Sequence, residues 1–490
     1  MSVSFNGESV NEFSVKEEQL RAYLKSIQSL SIKEYASGSY ASVLPPELEE
    51  AYKQLNDKRA ADLKKEMKWA WSQYVEKGMG SDEVNPLSGI PNRYWGGLGM
   101  MVVESADTLY MMGLKEEFDQ AAEWIHTHLT FDLDHYTSVF ETIIRMLGGL
   151  LSGYALSGDR VFLEKAEDLA DRLLKSYDGV LNHPNVNLAS GEGSQMETTI
   201  CLAEAATNYL EFFFLSQSTS KPAYAARAES ILRHLESQQE SSGLFPLMYD
   251  IISGTPISTT LTMGNRADSF YEYLLKSWLL TGKKDEHLRT MYRKAVDGLH
   301  RRLLSESLSD RLLYVTELQG GKRHFAMHHL ACFLPGMLVL GTEEGATENA
   351  KRDQETAYRL MYTCFAMYNG TASGLAAEDY SFIDKTMERP TQRTLYYHDL
   401  FPQGMKKYLL RPETVESLYV MYAKTKNPVF REWGWQIWST IKEKCKSTYG
   451  YAFYSGVYLE KGVLEDRVET WFYSETMKYL YLLFAESGDE

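Results

Sequence analysis

The 490 residues include only four cysteines, and no two of them form a Cys-x-x-Cys pair. That excludes a disulfide scaffold, zinc fingers and thioredoxin chemistry. Positive charge is also short: 51 Lys and Arg stand against 67 Asp and Glu, a formal net charge of −16. Such a surface repels phosphate backbones and anionic lipid, and no Lys/Arg cluster offers a local exception, so nucleic acid is not expected as a partner. No apolar run approaches the roughly 20 residues needed to cross a bilayer, and no membrane segment is expected. Met1–Phe13 lacks the basic-then-apolar layout of a signal peptide. The chain is therefore read either as cytosolic or as lacking its targeting segment. Linkers rich in Pro, Gly or Ser are missing too. Length alone allows roughly two to four domains, but nothing separates them, and a single domain over residues 61–490 is expected. Residues 1–60, polar and mixed in charge, read as an appended arm.

Apolar residues make up 44% of the chain, with 33 Tyr and 9 Trp. Aromatic excess suits a packed helical core and equally a sugar site, where ring faces stack on pyranose C–H groups. From about residue 64 the chain repeats a unit: an apolar helix, a short polar turn such as LSGDRV or TGKKDE, then an amphipathic helix. ETIIRMLGGLLSGYAL is nearly all apolar, whereas VFLEKAEDLADRLLKSY carries one apolar stripe. An inner ring of buried helices inside an outer solvated ring explains that asymmetry, and an open solenoid does not. The expectation is an all-α closed toroid with minor β hairpins.

Acids sit at the starts of the apolar helices. LRPETVES places Glu413 and Glu416 three apart on one face, after a proline suited to a first helical position. Glu141 in FETIIR and Asp268 in RADSFYEYLLK open two further helices, and Glu469 opens the last. Glu204 and Glu378 add to the set. An acidic first turn is ordinary capping, and Arg145, one turn after Glu141, and Arg266, two before Asp268, offer ordinary ion pairs. Two arginines cannot neutralise so many carboxylates, however. The excess points to a wet, acid-lined cavity for an uncharged, hydroxyl-rich ligand. Cleaving a glycosidic bond needs one carboxylic acid and one carboxylate, which such a rim supplies. Cys332 and Cys364 lie in apolar stretches, as buried free thiols would.

GLGMMVVESADTLYMMGL, FETIIRMLGGLLSGYALSGD, RADSFYEYLLKSWLLTGK, HHLACFLPGMLVLG, LRPETVESLYVMYAKTKNP and ETWFYSETMKYLYLLF occur in one order. Together they resemble the class I α-1,2-mannosidases, glycoside hydrolase family 47, from about Lys64 to Phe484. The resemblance implies an (α/α)7 barrel that removes terminal α-1,2-linked mannose from oligomannose N-glycans with inversion, as a monomer, using bound Ca²⁺. It implies Glu141 as general acid, Glu413 as general base and Asp268 as a third essential carboxylate. Arg145, Glu204, Arg266, His329, Glu378, Glu416 and Glu469 are implied to bind substrate, with Glu416 and Glu469 able to reach the metal through waters. It further implies a Cys332–Cys364 disulfide and a secretory lumen, endoplasmic reticulum or Golgi, with which the sequon Asn369-Gly370-Thr371 agrees. Arg266 resembles the endoplasmic-reticulum type, which prefers one glycan branch. The family's aspartate before Asp107 is Glu104 here. Its terminal segment bearing a threonine calcium ligand is not found up to Glu490, which leaves the metal ligands open. Two other readings follow: a catalytically weak glycan-binding protein of glycoprotein quality control, and a helical scaffold, which needs no acid cluster.

Overall fold

The computed structural model describes residues 10–29, 44–387 and 399–485. Helices α1 (Val10–Gln28) and α2 (Glu49–Gly78) come first. Apolar α3 (Met100–Met111) is followed by amphipathic α4 (Lys115–Thr127), and α5 (Val139–Ser157) by α6 (Arg160–Leu173). The short α7 (Leu202–Ala206) leads into α8 (Tyr209–Thr219), which pairs with α9 (Ala223–Ser237). Then come α10 (Asp268–Leu280) with α11 (Glu286–Gly298) and α12 (Leu334–Glu343) with α13 (Ala350–Asn369). Last are α14 (Glu413–Thr425) with α15 (Val429–Lys444), and α16 (Met477–Phe484), which packs on α2.

The ring closes through the apolar members. Helices α3, α5, α8, α10, α12, α14 and α16 touch in that order, and the π-helical turn Phe472–Thr476 before α16 packs back on α3. Among the described residues these seven form the inner ring, and α2, α4, α6, α9, α11, α13 and α15 the outer one. This is the expected (α/α)7 toroid. The local chemistry of one joint shows why the chain turns where it does. Gly158 ends α5 at φ +71°, a conformation that costs other residues a Cβ clash. Asp159 then caps α6 by accepting the Val161 N–H at 3.0 Å. Phe162, Ala166, Leu169 and Leu173 of α6 turn inward and are buried, giving the amphipathic stripe its purpose. Inner helices approach closely: a Cβ on Gly149 of α5 would lie 2.9 Å from the Val103 carbonyl of α3.

Although no membrane segment was expected from apolar runs, α5 is long and apolar enough by composition to span a bilayer. Here it is an inner helix packed against α3, α6 and α8. The junction expected at residue 60 falls inside α2. Leu20, Leu24 and Ile27 of α1 are buried, and α1 packs on α2 and α15. Arg59 of α2 clamps Glu432 of α15 with two bonds of 2.6 and 2.8 Å, both side chains buried. The arm therefore contributes to ring closure. Its residues 1–9 and 30–43 lie outside the described residues, as do 486–490 at the other end.

Short antiparallel strands stand at the entrances to the inner helices. Tyr136–Ser138 pairs with Asn185–Asn187 before α5, Thr199–Cys201 with Met248–Asp250 before α7, and Ala326–His328 with Asp379–Phe382 before α12. These strand pairs, made between segments distant in the chain, anchor the residues just before α5, α7 and α12. Ser138 caps the start of α5, accepting the Glu141 N–H at 3.2 Å.

Candidate active site

The helix starts open on one cavity of ≈ 690 Å³. Glu141, Arg145, Glu204, Arg266, Asp268, Glu413 and Glu416 all line it, as anticipated. Five further charged groups were not assigned there from sequence: Glu272, Lys276, Arg411, Glu475 and Lys478. Glu104 and Asp107 complete the set, giving nine carboxyl groups against five cations. The excess of acid inferred from the sequence is thus real, though smaller per cation.

Glu413 is held from behind. Its Oε2 lies 3.0 Å from His329 Nδ1, while His329 Nε2 lies 2.9 Å from the Tyr368 hydroxyl and 3.0 Å from Thr414 Oγ1. An imidazole protonated on Nδ1 satisfies all three, donating to the carboxylate and accepting from hydroxyl. His329 is 1% exposed and absent from the cavity wall. Its expected role in substrate binding is corrected accordingly: a ring fully engaged with Glu413, Tyr368 and Thr414 has no face for sugar. Burial raises the Glu413 carboxyl, but the His329 hydrogen bond and the Arg411 charge outweigh it and hold the group below its ordinary range.

Glu141 has the opposite environment. Its side chain is 32% exposed into the recess, yet loss of bulk water raises its pKa; Arg145 opposes the rise and Glu104 adds to it. Arg145 cannot serve Glu141 alone. Its Nε donates to Glu104 Oε1 at 2.6 Å, one terminal nitrogen donates to Thr470 Oγ1 at 2.6 Å, and the other reaches Glu141 only at 3.4 Å. The guanidinium is also stacked between Trp95 and Trp471, 4.9 and 5.5 Å from the ring centres. Glu104, longer by a methylene than the aspartate of the resemblance, accepts further bonds from Thr470 at 2.7 Å and Ser474 at 3.1 Å. Asp82 supports this arrangement from a distance by accepting the N–H groups of Trp95, Gly97 and Gly99.

Asp268, at the first position of α10, is pushed up to about 7 by burial, with Glu413 and Glu272 adding to the rise and the Ser269 N–H opposing it. Burial first, and Glu413 second, take Glu475 to about 7 as well. Arg266 and Leu410, each within three residues of a catalytic candidate, adopt left-handed backbone at φ +69° and +59°. Such conformations cost L residues of order 1–3 kcal/mol and cluster at functional sites. The Arg266 carbonyl accepts the Ala203 N–H at 2.9 Å, joining its loop to the helix of Glu204. Among the described residues Arg266 forms no ion pair with Asp268 or Glu204, and it is exposed at the cavity.

Glu378 and Glu469 were expected in the sugar pocket, but neither lines it. Glu378 accepts from Arg411 Nε at 2.7 Å and Glu469 from Arg467 at 2.6 Å, so each acts through an arginine. Among the described residues no group of three or more His, Cys, Asp or Glu is disposed to hold a metal ion. Glu416 and Glu272 are drawn to Lys276 at 3.1 and 2.5 Å, and Glu469 is already paired. Calcium takes six to eight oxygens; an ammonium occupies the place where these two carboxylates converge, so the described residues do not fit a direct calcium site. Cys332 and Cys364 form a disulfide with a Cα–Cα distance of 5.8 Å, and Cys201 and Cys445 are free and buried.

The chain matches the Glycosyl hydrolase family 47 profile over residues 66–489. It belongs to glycosyl hydrolase family 47. Its relatives agree. A mannosyl-oligosaccharide 1,2-alpha-mannosidase of Arabidopsis thaliana is 37% identical over 445 residues, covering 89% of this chain and 76% of the relative. An endoplasmic reticulum mannosyl-oligosaccharide 1,2-alpha-mannosidase of Schizosaccharomyces pombe is 36% identical over 455 residues, covering 88% and 86%. The solved alpha-1,2-mannosidase of Trichoderma reesei superposes with a TM-score of 0.84 at 26% identity, covering 88% of this chain and 94% of that one. The family 47 chain is thus a glycosidase by membership and by fold.

Proposed function

We propose that the chain removes terminal α-1,2-linked mannose from oligomannose N-glycans by single-step, inverting hydrolysis in the secretory lumen. The observation that carries this reading is a pair of carboxyl groups on one cavity driven in opposite directions: Glu413 below its ordinary range and Glu141 above it. A carboxyl pushed below its ordinary range suits a base, and one pushed above it suits an acid. A water placed beside Glu413 gives it a proton as its oxygen bonds to C1 of mannose. Glu141 gives its proton to the glycosidic oxygen as the C1–O bond breaks. The surrounding carboxylates favour the positive charge that develops on the ring. Family membership is consistent with calcium dependence, and the Cys332–Cys364 bridge with an oxidising compartment.

The pH dependence follows from the two directions. As pH falls through the Glu413 pKa the base is neutralised, and because that pKa lies below the ordinary 4.5 the acid limb of kcat/KM starts below this value. As pH rises through the Glu141 pKa the acid is lost, and that limb lies above 4.5. A bell-shaped profile is expected, with the alkaline limb missing in Glu141→Gln. An acid limb displaced above the ordinary carboxylate range contradicts the assignment of Glu413.

Release of free mannose from oligomannose glycan tests the activity itself, and its order tests Arg266. The guanidinium offers donors to hydroxyls beyond the cleaved bond, and a charged hydrogen bond contributes about 1.5–3 kcal/mol, roughly tenfold or more in rate between branches that do and do not meet it. One mannose is expected to leave quickly and the others slowly, with Arg266→Leu levelling the rates. No mannose release sinks the proposal, and equal rates in the wild type sink the reading of Arg266.

A further inference from the structure

The sequon Asn369-Gly370-Thr371 takes no part in the cavity, yet the structure presents it in a distinctive way. Asn369 is the exposed last residue of α13. Its Oδ1 accepts a hydrogen bond from Gln436 Nε2 of α15 at 2.9 Å. Its Nδ2 donates to nothing among the described residues. Gly370 makes the tight exit possible: its N–H bonds the Ala366 carbonyl at 2.8 Å, and a Cβ there would lie 2.7 Å from that oxygen. The preceding residue, Tyr368, is buried and reaches inward to His329, whereas Asn369 itself is exposed.

We infer that Asn369 is an N-glycosylation site. The inference rests on lumenal placement, because the reaction requires a lipid pyrophosphate-linked oligosaccharide as donor. Asn369 Nδ2 forms a bond to C1 of the donor's first N-acetylglucosamine as the C1–O bond to pyrophosphate breaks. The lipid pyrophosphate leaves and the amide nitrogen releases one proton. Attachment at Nδ2 leaves Oδ1 free to keep its bond from Gln436, so the folded helix end tolerates the sugar without rearrangement. The Thr371 hydroxyl that the transferase requires is available only before folding. Afterwards it donates to the carbonyls of Tyr368 and Leu375, at 3.0 and 2.8 Å. Modification therefore precedes folding of this turn.

No other asparagine in the sequence is followed by x-Ser/Thr with x other than Pro, so the test is clean. The full chain is secreted from a eukaryotic host behind a cleavable signal peptide and treated with peptide N-glycosidase. One mobility step is expected for the wild type and for Thr371→Ser, and none for Asn369→Gln, whose turnover should equal the wild type's. A wild-type chain that does not shift, or a shift that survives in Asn369→Gln, overturns the site. Mannosidase activity is read separately, so neither result depends on the proposed reaction being correct.

Discussion

Replacing Glu413 by glutamine is expected to lower kcat about 10²–10⁴-fold. Glutamine keeps the length and shape of the side chain, and its amide oxygen can still accept from His329 Nδ1, which lies 3.0 Å from the carboxylate. The lost property is the capacity to take a proton from the attacking water. KM should change little, since an interaction needed only in the transition state is removed. Thermal unfolding should stay close to wild type, because the buried His329 keeps a partner. Near-normal turnover in this variant would remove the proposed base.

The second large effect is on stability. Cys332 and Cys364 are separated by 32 residues and tie the turn before α12 to the outer helix α13. Closing a loop of that length removes unfolded-state entropy that the chain-entropy model values at about 3–4 kcal/mol. The double variant Cys332→Ser, Cys364→Ser should lower the denaturation midpoint accordingly, as should reductant on the wild type. Alkylation of unreduced, unfolded protein followed by intact mass should label two thiols, those of Cys201 and Cys445. Four labelled thiols would refute the bridge and weaken the lumenal reading with it.

Much of this was legible from residue order. Glu141, Asp268 and Glu413 stood out because each opens an apolar helix, where a carboxylate is costly unless it has work or a partner. The toroid followed from the contrast between apolar and amphipathic helices, which the inner and outer rings now explain. What escaped reading were groups whose spacing has an ordinary meaning. Glu272 and Lys276 follow Asp268 at four-residue spacing, a surface ion-pair pattern; in the ring that face turns inward and both meet the cavity beside Asp268. Arg411 lies inside the RPE motif, yet its reach to Glu378, 33 residues away, is set by the tertiary fold and by no local pattern.

His329 shows the same limit more sharply. HHLACF announces a histidine in apolar surroundings, but not whether it faces sugar or supports a neighbour. Only the ring places it against Glu413, 84 residues on. The division expected at residue 60 falls inside α2, for a related reason. Polar composition suggested an appendage, whereas Leu20, Leu24 and Ile27 form a stripe at helical spacing whose partners lie on α2 and α15.

The central claim is that Glu141 and Glu413 act on opposite sides of the scissile bond with a water between, which requires their carboxyl groups to stand about 6.5–9.5 Å apart. Proton NMR of the first sugar released from an α-1,2-linked mannoside tests it most directly. Single displacement by water inverts C1, so β-mannose should appear first and mutarotate slowly to the equilibrium mixture. If α-mannose appears first, C1 was displaced twice and the account of the site is contradicted.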